Sequence, residues 1–403
     1  MDVLADPAPA PGRHRRARVI AFYLPQFHPV PENDAWWGQG FTEWTNVKRA
    51  RPLYPGHQQP RLPGALGYYD LRDAAVREAQ AGLAREAGIE AFCYWHYWFG
   101  GGRRILERPF AEVLDSGAPN FPFCLCWANE SWVGIWHGAP GRMLIEQNYP
   151  GPADHAAHFA AVRPAFLDAR YVRVDGKPVF LVYSPEKLPD AAAALAQWRE
   201  MAEQAGLAGL YLIGMSTNVG APCLAGFDAV MPFGPRDFLE GTAQKHVFVR
   251  VGRRFGSGRV FQALSELVGG LPWLPARYDY AALAREAFTR LPRDGRHLPC
   301  VLAGWDNTPR AGRRGIVLEN FSPALLGACL EKAVAHVAGH AAEERLVFIK
   351  AWNEWAEGNY LEPDQEHGDA RLASVRGVVL GASGELEAVD AGLRKGWDRQ
   401  VRD

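Results

Sequence analysis

Eight short runs of apolar, β-branched and aromatic residues alternate along the chain with longer segments rich in Ala, Leu, Glu and Arg. Nothing else in the sequence constrains the fold as strongly. The runs are 18–24, 89–95, 121–129, 177–184, 210–216, 227–233, 299–306 and 345–352, and their length and composition read as buried strands. The segments 70–88, 103–115, 153–169, 190–206, 280–291 and 322–339 read as helices, with Pro164 interrupting the third. In 70–88, Asp70 is placed to cap the N-terminus, Leu71, Ala75, Ala79 and Leu83 repeat every four residues, and Gly88 can stop the helix. Such alternation predicts an α/β fold with a parallel sheet, either an open doubly wound sheet or a closed TIM (β/α)8 barrel.

The strand number favours the barrel. So does the recurrence of polar and aromatic residues just where strands end: Tyr23 with His28, Trp95 with His96 and Trp98, Trp127 with Asn129, Trp305 with Asp306, and Asn353 with Glu354 and Trp355. In a barrel these ends converge on one mouth, where sites are built. Two long loops depart from the repeat. Residues 29–69, after the first strand, carry Trp36, Trp37, Trp44 and Tyr54, too aromatic for disorder, and read as folded over the mouth. Residues 234–276, after the sixth, carry Lys245, Arg250, Arg253, Arg254 and Arg259, and read as either a basic lid or a solvated basic surface. Residues 1–17 read as a disordered leader and 18–403 as one barrel domain with a C-terminal extension, in which the amphipathic stretch 384–397 could pack on the exterior.

A net charge of −1 argues against nucleic acid or an anionic membrane as the main partner. Cys93, Cys124, Cys126 and Cys300 sit inside apolar runs and no CxxC occurs, so the thiols read as reduced core residues of a cytoplasmic protein. Neither a signal-peptide pattern nor a membrane-length apolar run is present in the sequence. HExxH and GxxxxGK[ST] are absent, Gly38-Gln39-Gly40 lacks the third glycine of a dinucleotide fingerprint, and Ser216 lacks the second glycine of a nucleophile elbow. His155 and His158 read as a surface pair, and no spacing calls for a metal or cofactor.

What remains is Glu354 and Glu357, three residues apart beyond the last strand and flanked by Trp352 and Trp355. Residues at that spacing in a tight or helical turn can point the same way. Glycosidic chemistry needs two such groups, one to protonate the leaving oxygen and one to assist at the anomeric side. Burial and mutual repulsion would split their pKa values. Asn353 could donate to a sugar hydroxyl. Tyr23, His28, Trp44, Trp95, His96, Trp98, Trp127, Asn129, Trp305, Asp306, Asn353 and Trp355 are therefore candidate substrate-binding residues, with an oligosaccharide or polysaccharide as substrate.

The stretches "AFYLPQFHPVPENDAWWGQGFTEWTNV", "CYWHYWF", "CWANESW" and "KAWNEWAEGNYLEPD" together resemble the WbsX-like family of bacterial polysaccharide-gene-cluster proteins. That family is labelled glycosyltransferase and is similar to glycoside hydrolase family 99, the endo-α-mannosidase family. The resemblance covers about residues 18–365. It implies that Glu354 is the base that takes the proton from the sugar 2-hydroxyl, leading through an anhydro-sugar intermediate. It implies that Glu357 is the general acid and then base, with retention of configuration. Tyr23 matches an aromatic position of that family loosely. Mannose specificity is not implied, because the Trp36–Trp44 loop follows the WbsX-like pattern. Three readings stand: a retaining glycoside hydrolase or transglycosylase, a glycosyltransferase of O-antigen or capsular polysaccharide biosynthesis, and a non-catalytic glycan-binding barrel.

Overall fold

The structure is a computed structural model and describes residues 15–134, 142–216, 218–234 and 274–381. Eight strands form one parallel sheet: β1 Arg18–Tyr23, β2 Ala91–His96, β3 Phe123–Trp127, β4 Lys177–Val182, β5 Tyr211–Met215, β6 Ala229–Met231, β7 Cys300–Leu302 and β8 Leu346–Lys350. Their spatial order is β7-β8-β1-β2-β3-β4-β5-β6. Between the ends of this sheet, Val230 of β6 donates to Arg296 O and accepts from Leu298 N, each at 2.9 Å, in a parallel bridge to the segment leading into β7. The sheet is therefore a nearly closed barrel, as the strand count and strand-end chemistry predict.

The helices are α1 Pro31–Trp37, α2 Glu43–Arg49, α3 Ala74–Glu86, α4 Arg108–Ser116, α5 Pro152–Leu167, α6 Ala191–Gln204, α7 Tyr280–Glu286, α8 Thr308–Ala311, α9 Pro323–Val337 and α10 Ala370–Leu380. The barrel strands are buried almost throughout because helices cover the outside and side chains fill the lumen. Register divides the two faces. Phe22, Cys93 and Cys124 align across β1 to β3, and Trp95 aligns with Cys126. Tyr23, Tyr94 and Leu125 form the opposite row. Packing of Phe22 on Trp95 at 4.9 Å and on Phe348 at 5.7 Å assigns the first row to the lumen.

Local chemistry corrects several boundaries. Asp73, not Asp70, caps α3 by accepting from Ala75 N, while Asp70 pairs with Arg72. Helix α5 runs through Pro164, which lies one turn from its end. The chain is already ordered before 18: Ala17 is buried, and Arg16 donates to Val379 O and pairs with Glu331. The sixth-strand loop re-enters the described residues at 274, and Ala276–Asp279 pairs in parallel with Ile316–Glu319. The basic residues 245–259 and the stretch 384–397 lie outside the described residues. No described helix is long and apolar enough to cross a membrane.

Candidate active site

The chain leaves β8 through a small hairpin at the C-terminal end of the barrel. Asn353–Glu354 pairs antiparallel with Asn359–Tyr360, and a 3₁₀ turn, Trp355–Glu357, joins them. With three residues per 3₁₀ turn, side chains three apart eclipse, which brings Glu354 and Glu357 to one side. Gly358 closes the turn in the left-handed region at φ 59°, and a Cβ there would lie 2.8 Å from Asp306 N. That close approach lets Glu357 O accept from Asp306 N at 2.6 Å. Only glycine fits both demands. The Asn353 amide accepts from Leu24 N at 2.7 Å and donates to Leu24 O at 3.1 Å, tying the hairpin to the end of β1.

The two carboxyl groups meet two cations. Glu354 accepts from Trp95 Nε1 at 2.8 Å and from Lys350 Nζ at 3.0 Å. Lys350 Nζ also lies 3.3 Å from Glu357 Oε2. Arg310, on α8, donates to Glu357 Oε1 at 2.8 Å and to Glu43 Oε1 at 2.6 Å. Glu43, on α2, accepts from Ala356 N at 3.0 Å as well. Lys350 sits in an aromatic cage, with its nitrogen 4.4 Å from the centre of Phe233, 5.3 Å from Trp305 and 5.6 Å from Trp95.

Burial pushes Glu354 up to about 7, and the neighbouring Glu357 carboxylate adds to the rise while Lys350 opposes it. Burial also acts to raise Glu357, but Lys350, Arg310 and a hydrogen bond from Glu354 outweigh it and hold Glu357 below the usual carboxylate range. The two carboxyl groups are thus pushed in opposite directions, Glu354 toward its neutral form and Glu357 toward its ionised one. Lys350 stays charged because the two carboxylates overcome its desolvation. Three carboxyl groups, Glu43, Glu354 and Glu357, thus face two cations, Lys350 and Arg310, and burial favours keeping one of the three neutral.

Of the residues picked from the sequence, Trp95 and Trp305 join the Glu pair. Trp305 is buried with its Nε1 unpartnered among the described residues. Asp306 sits beside them, but its carboxylate is occupied by His57, Gln59 and Thr308. The others turn elsewhere. Tyr23 donates to Gln80 on α3, and His28 bonds Pro25 O. Trp44 donates to Tyr69 O and packs behind the hairpin on Trp355. His96 contacts His158 at 2.8 Å, Trp98 donates to Asp154 on α5, and Trp127 donates to Trp98 O. Asn129 clamps Ser184, Asn353 clamps Leu24, and Trp355 donates to Glu362 while stacking 3.8 Å from Tyr360. His158 is fully buried between Trp98, Trp127 and Trp198, which corrects its reading as a surface residue.

The physical reason is the period of a strand. Neighbouring side chains point to opposite faces, so Trp95 can enter the lumen only if His96 faces the helices. Sequence reasoning missed Lys350, Arg310 and Glu43. Lys350 left a signal: it is a charge at the end of the apolar run "LVFIK", on the face shared with Phe348. Arg310 and Glu43 lie on short helices in loops and left none. Among the described residues no group of three or more His, Cys, Asp or Glu could hold a metal ion.

The family model described as Glycosyltransferase WbsX matches residues 19–375. The chain belongs to the WbsX family. Two relatives, from Xanthomonas campestris pv. campestris strains B100 and ATCC 33913, carry the name uncharacterized protein WxcX. Each is 40% identical over 368 residues, covering 91% of this chain and 50% of the relative. This WbsX member thus spans about half the length of the curated relatives it matches. Among solved structures, a glycoside hydrolase-like protein superposes with a TM-score of 0.56 at 15% identity, covering 93% of this chain and 97% of the other. The family 99 endo-α-mannosidase from Bacteroides thetaiotaomicron in complex with bis-tris-propane gives 0.52 at 14% identity, covering 93% and 98%. Both share the barrel fold.

Proposed function

We propose that this WbsX protein cleaves or transfers glycosidic bonds with retention of configuration, using Glu354 and Glu357 as its acid–base pair. The observation that carries this reading is geometric: two buried carboxyl groups on one turn at the barrel mouth, both gripped by Lys350, with Arg310 on Glu357. Inverting glycosidases separate their carboxyl groups by about 6.5–9.5 Å to admit a water. Retaining enzymes hold the pair closer, about 5–5.5 Å apart, and here one ammonium, Lys350 Nζ, touches both groups, at 3.0 and 3.3 Å, which supports retention. The substrate is an oligosaccharide or polysaccharide of bacterial surface-glycan metabolism. Six free cysteines support a reducing, cytoplasmic setting.

The directions of the two shifts run opposite to the roles implied by the family 99 resemblance. Burial favours the neutral form of Glu354, which would then deliver its proton to the leaving oxygen. Glu357, ionised, would attack the anomeric carbon or take the proton of the neighbouring hydroxyl. Substitution decides between the two allocations. Glu354→Gln, if Glu354 is the acid, keeps turnover of dinitrophenyl glycosides, whose leaving group needs no proton, and loses it on unactivated glycosides. Glu357→Gln then loses both. The reverse pattern restores the roles drawn from the resemblance, and full activity of both variants removes the pair from catalysis. A second reading, transfer from an activated sugar, is favoured by the family's description and by Arg310 and Lys350, which could receive a leaving phosphate. Turnover of nucleotide sugars alone, with no glycoside cleaved, would establish it.

A further inference from the structure

Helix α2 faces two ways. Glu43 is fully buried in the catalytic cluster, while Lys48 and Arg49, at its other end, are exposed. Beneath those cations lies a cavity of about 420 Å³, lined by Trp44, Tyr68, Tyr69 and Phe27 together with Lys48 and Arg49. Its volume lies in the range of small-ligand sites, and it contains none of the Glu354 cluster. Trp44 separates the two: its ring packs on Trp355, which lies between Glu354 and Glu357 in the chain, and meets Tyr68 edge-on at 5.1 Å on the cavity side.

Three features point to a ligand. Tyr68 leaves 42% of its surface exposed, uncommon for a large aromatic packed beside Trp44. Lys48 has only the Tyr68 ring, 4.3 Å from its nitrogen, as a partner, and Arg49 makes no ion pair among the described residues. Asp70, the one acidic residue in the lining, is already neutralised by Arg72 at 2.7 Å. The cavity therefore presents apolar ring surface under uncompensated positive charge. Its aromatic walls stand nearly at right angles, Trp44 to Tyr68 at 88° and to Tyr69 at 79°. Tyr68 is the wall with an exposed face, on which a sugar ring can rest its C–H side.

We propose that this cavity is an accessory subsite for an acidic saccharide, whose ring packs on Tyr68 while its carboxylate pairs with Lys48 and Arg49. The proposal rests on the carbohydrate reading above and extends it to a charged glycan that runs from the barrel mouth over α2. Calorimetric titration of the Glu357→Gln chain, which scores binding without turnover, tests it with three probes: oligogalacturonate, neutral maltohexaose and GDP. Oligogalacturonate is expected to bind, with added salt weakening it. Lys48→Ala/Arg49→Ala and Tyr68→Ala should each weaken it at least about tenfold, and maltohexaose should bind at least about tenfold less well. All three residues are exposed, so the variants should keep the parent's melting temperature. Absence of oligogalacturonate binding, binding that these substitutions leave unchanged, equal affinity for maltohexaose, or GDP binding that depends on the same residues would each overturn the subsite. None of those outcomes touches the Glu354 and Glu357 roles, which are scored by turnover.

Discussion

Lys350 does more at the site than its position at the end of an apolar strand suggests. A cation beside a carboxylate favours the ionised form, and this one lies within 3.3 Å of both members of the pair. Replacing it by Met removes that field from both, so both pKa values rise. If the pair is catalytic, activity requires Glu357 ionised and Glu354 protonated. In the wild type the alkaline limb then falls as pH rises through about 7, where Glu354 loses its proton. In Lys350→Met both limbs should move to higher pH, and kcat should drop by about 100-fold or more from lost preorganised charge. Lys350→Arg keeps the charge and should leave the limbs near their wild-type positions. A residue that only filled space would lower kcat without moving the profile. Initial rates across the pH range on one aryl glycoside distinguish the cases.

The seam joining β1, the β8 hairpin and α3 behaves as a single hydrogen-bonded unit. Glu362, fully buried, accepts from Tyr69 at 2.8 Å, Gln80 at 2.6 Å and Trp355 at 2.6 Å, and Tyr23 donates onward to Gln80 at 2.6 Å. No Lys or Arg pairs with it among the described residues, so burial pushes it up to about 7 despite those donors. The folded value lies above the unfolded one, so its contribution to stability is complete below about 4.5 and is lost as pH rises through about 7. Glu362→Gln does not titrate, and its amide can be satisfied if Gln80 turns over. From pH 4.5 to 8, urea denaturation should show stability shifting in the variant's favour, relative to wild type, by up to about 3 kcal/mol. A constant difference would mean that Glu362 does not titrate in that range. This seam also marks the limit of what the sequence disclosed. Apolar runs and their spacing made the barrel legible, because burial on both faces demands such runs. The juxtaposition of Glu354 and Glu357 was legible because residues three apart in a tight turn come to one side. Tyr23, Asn353 and Trp355 also sit at strand ends, yet they hold the seam together. Which face a strand-end residue takes depends on register and on the twist of the hairpin, and neither is written in residue type.

At the scale of the whole molecule, the insertion after β1 is fastened across the barrel to the loops after β7 and β8. Glu43 reaches Arg310 and Ala356 N, Gly64 N donates to Pro363 O at 2.8 Å, and His57 and Gln59 converge on Asp306 at 2.8 and 2.7 Å. The last contact works as a latch. Asp306 is buried, so desolvation acts to raise its pKa, but His57, Thr308 and Gln59 outweigh that and hold it below the ordinary value. A depressed carboxylate stabilises the fold above its unfolded pKa and loses that contribution only as pH falls through the folded value. The latch is therefore closed throughout the neutral range. Asp306→Ala leaves the His57 and Gln59 side chains buried without their acceptor, at a cost of about 1–3 kcal/mol for each unsatisfied group. The cheapest relief is local: residues 53–60 should lift and expose those side chains to water. Amide hydrogen exchange in 53–60 should then accelerate by about 10- to 1000-fold at neutral pH. Exchange in α2 should hold steady, because Glu43 keeps both of its partners. Uniform acceleration across insertion and barrel alike would show that Asp306 supports the fold as a whole, and unchanged exchange in 53–60 would show that Gly64 and Glu43 hold the insertion without it.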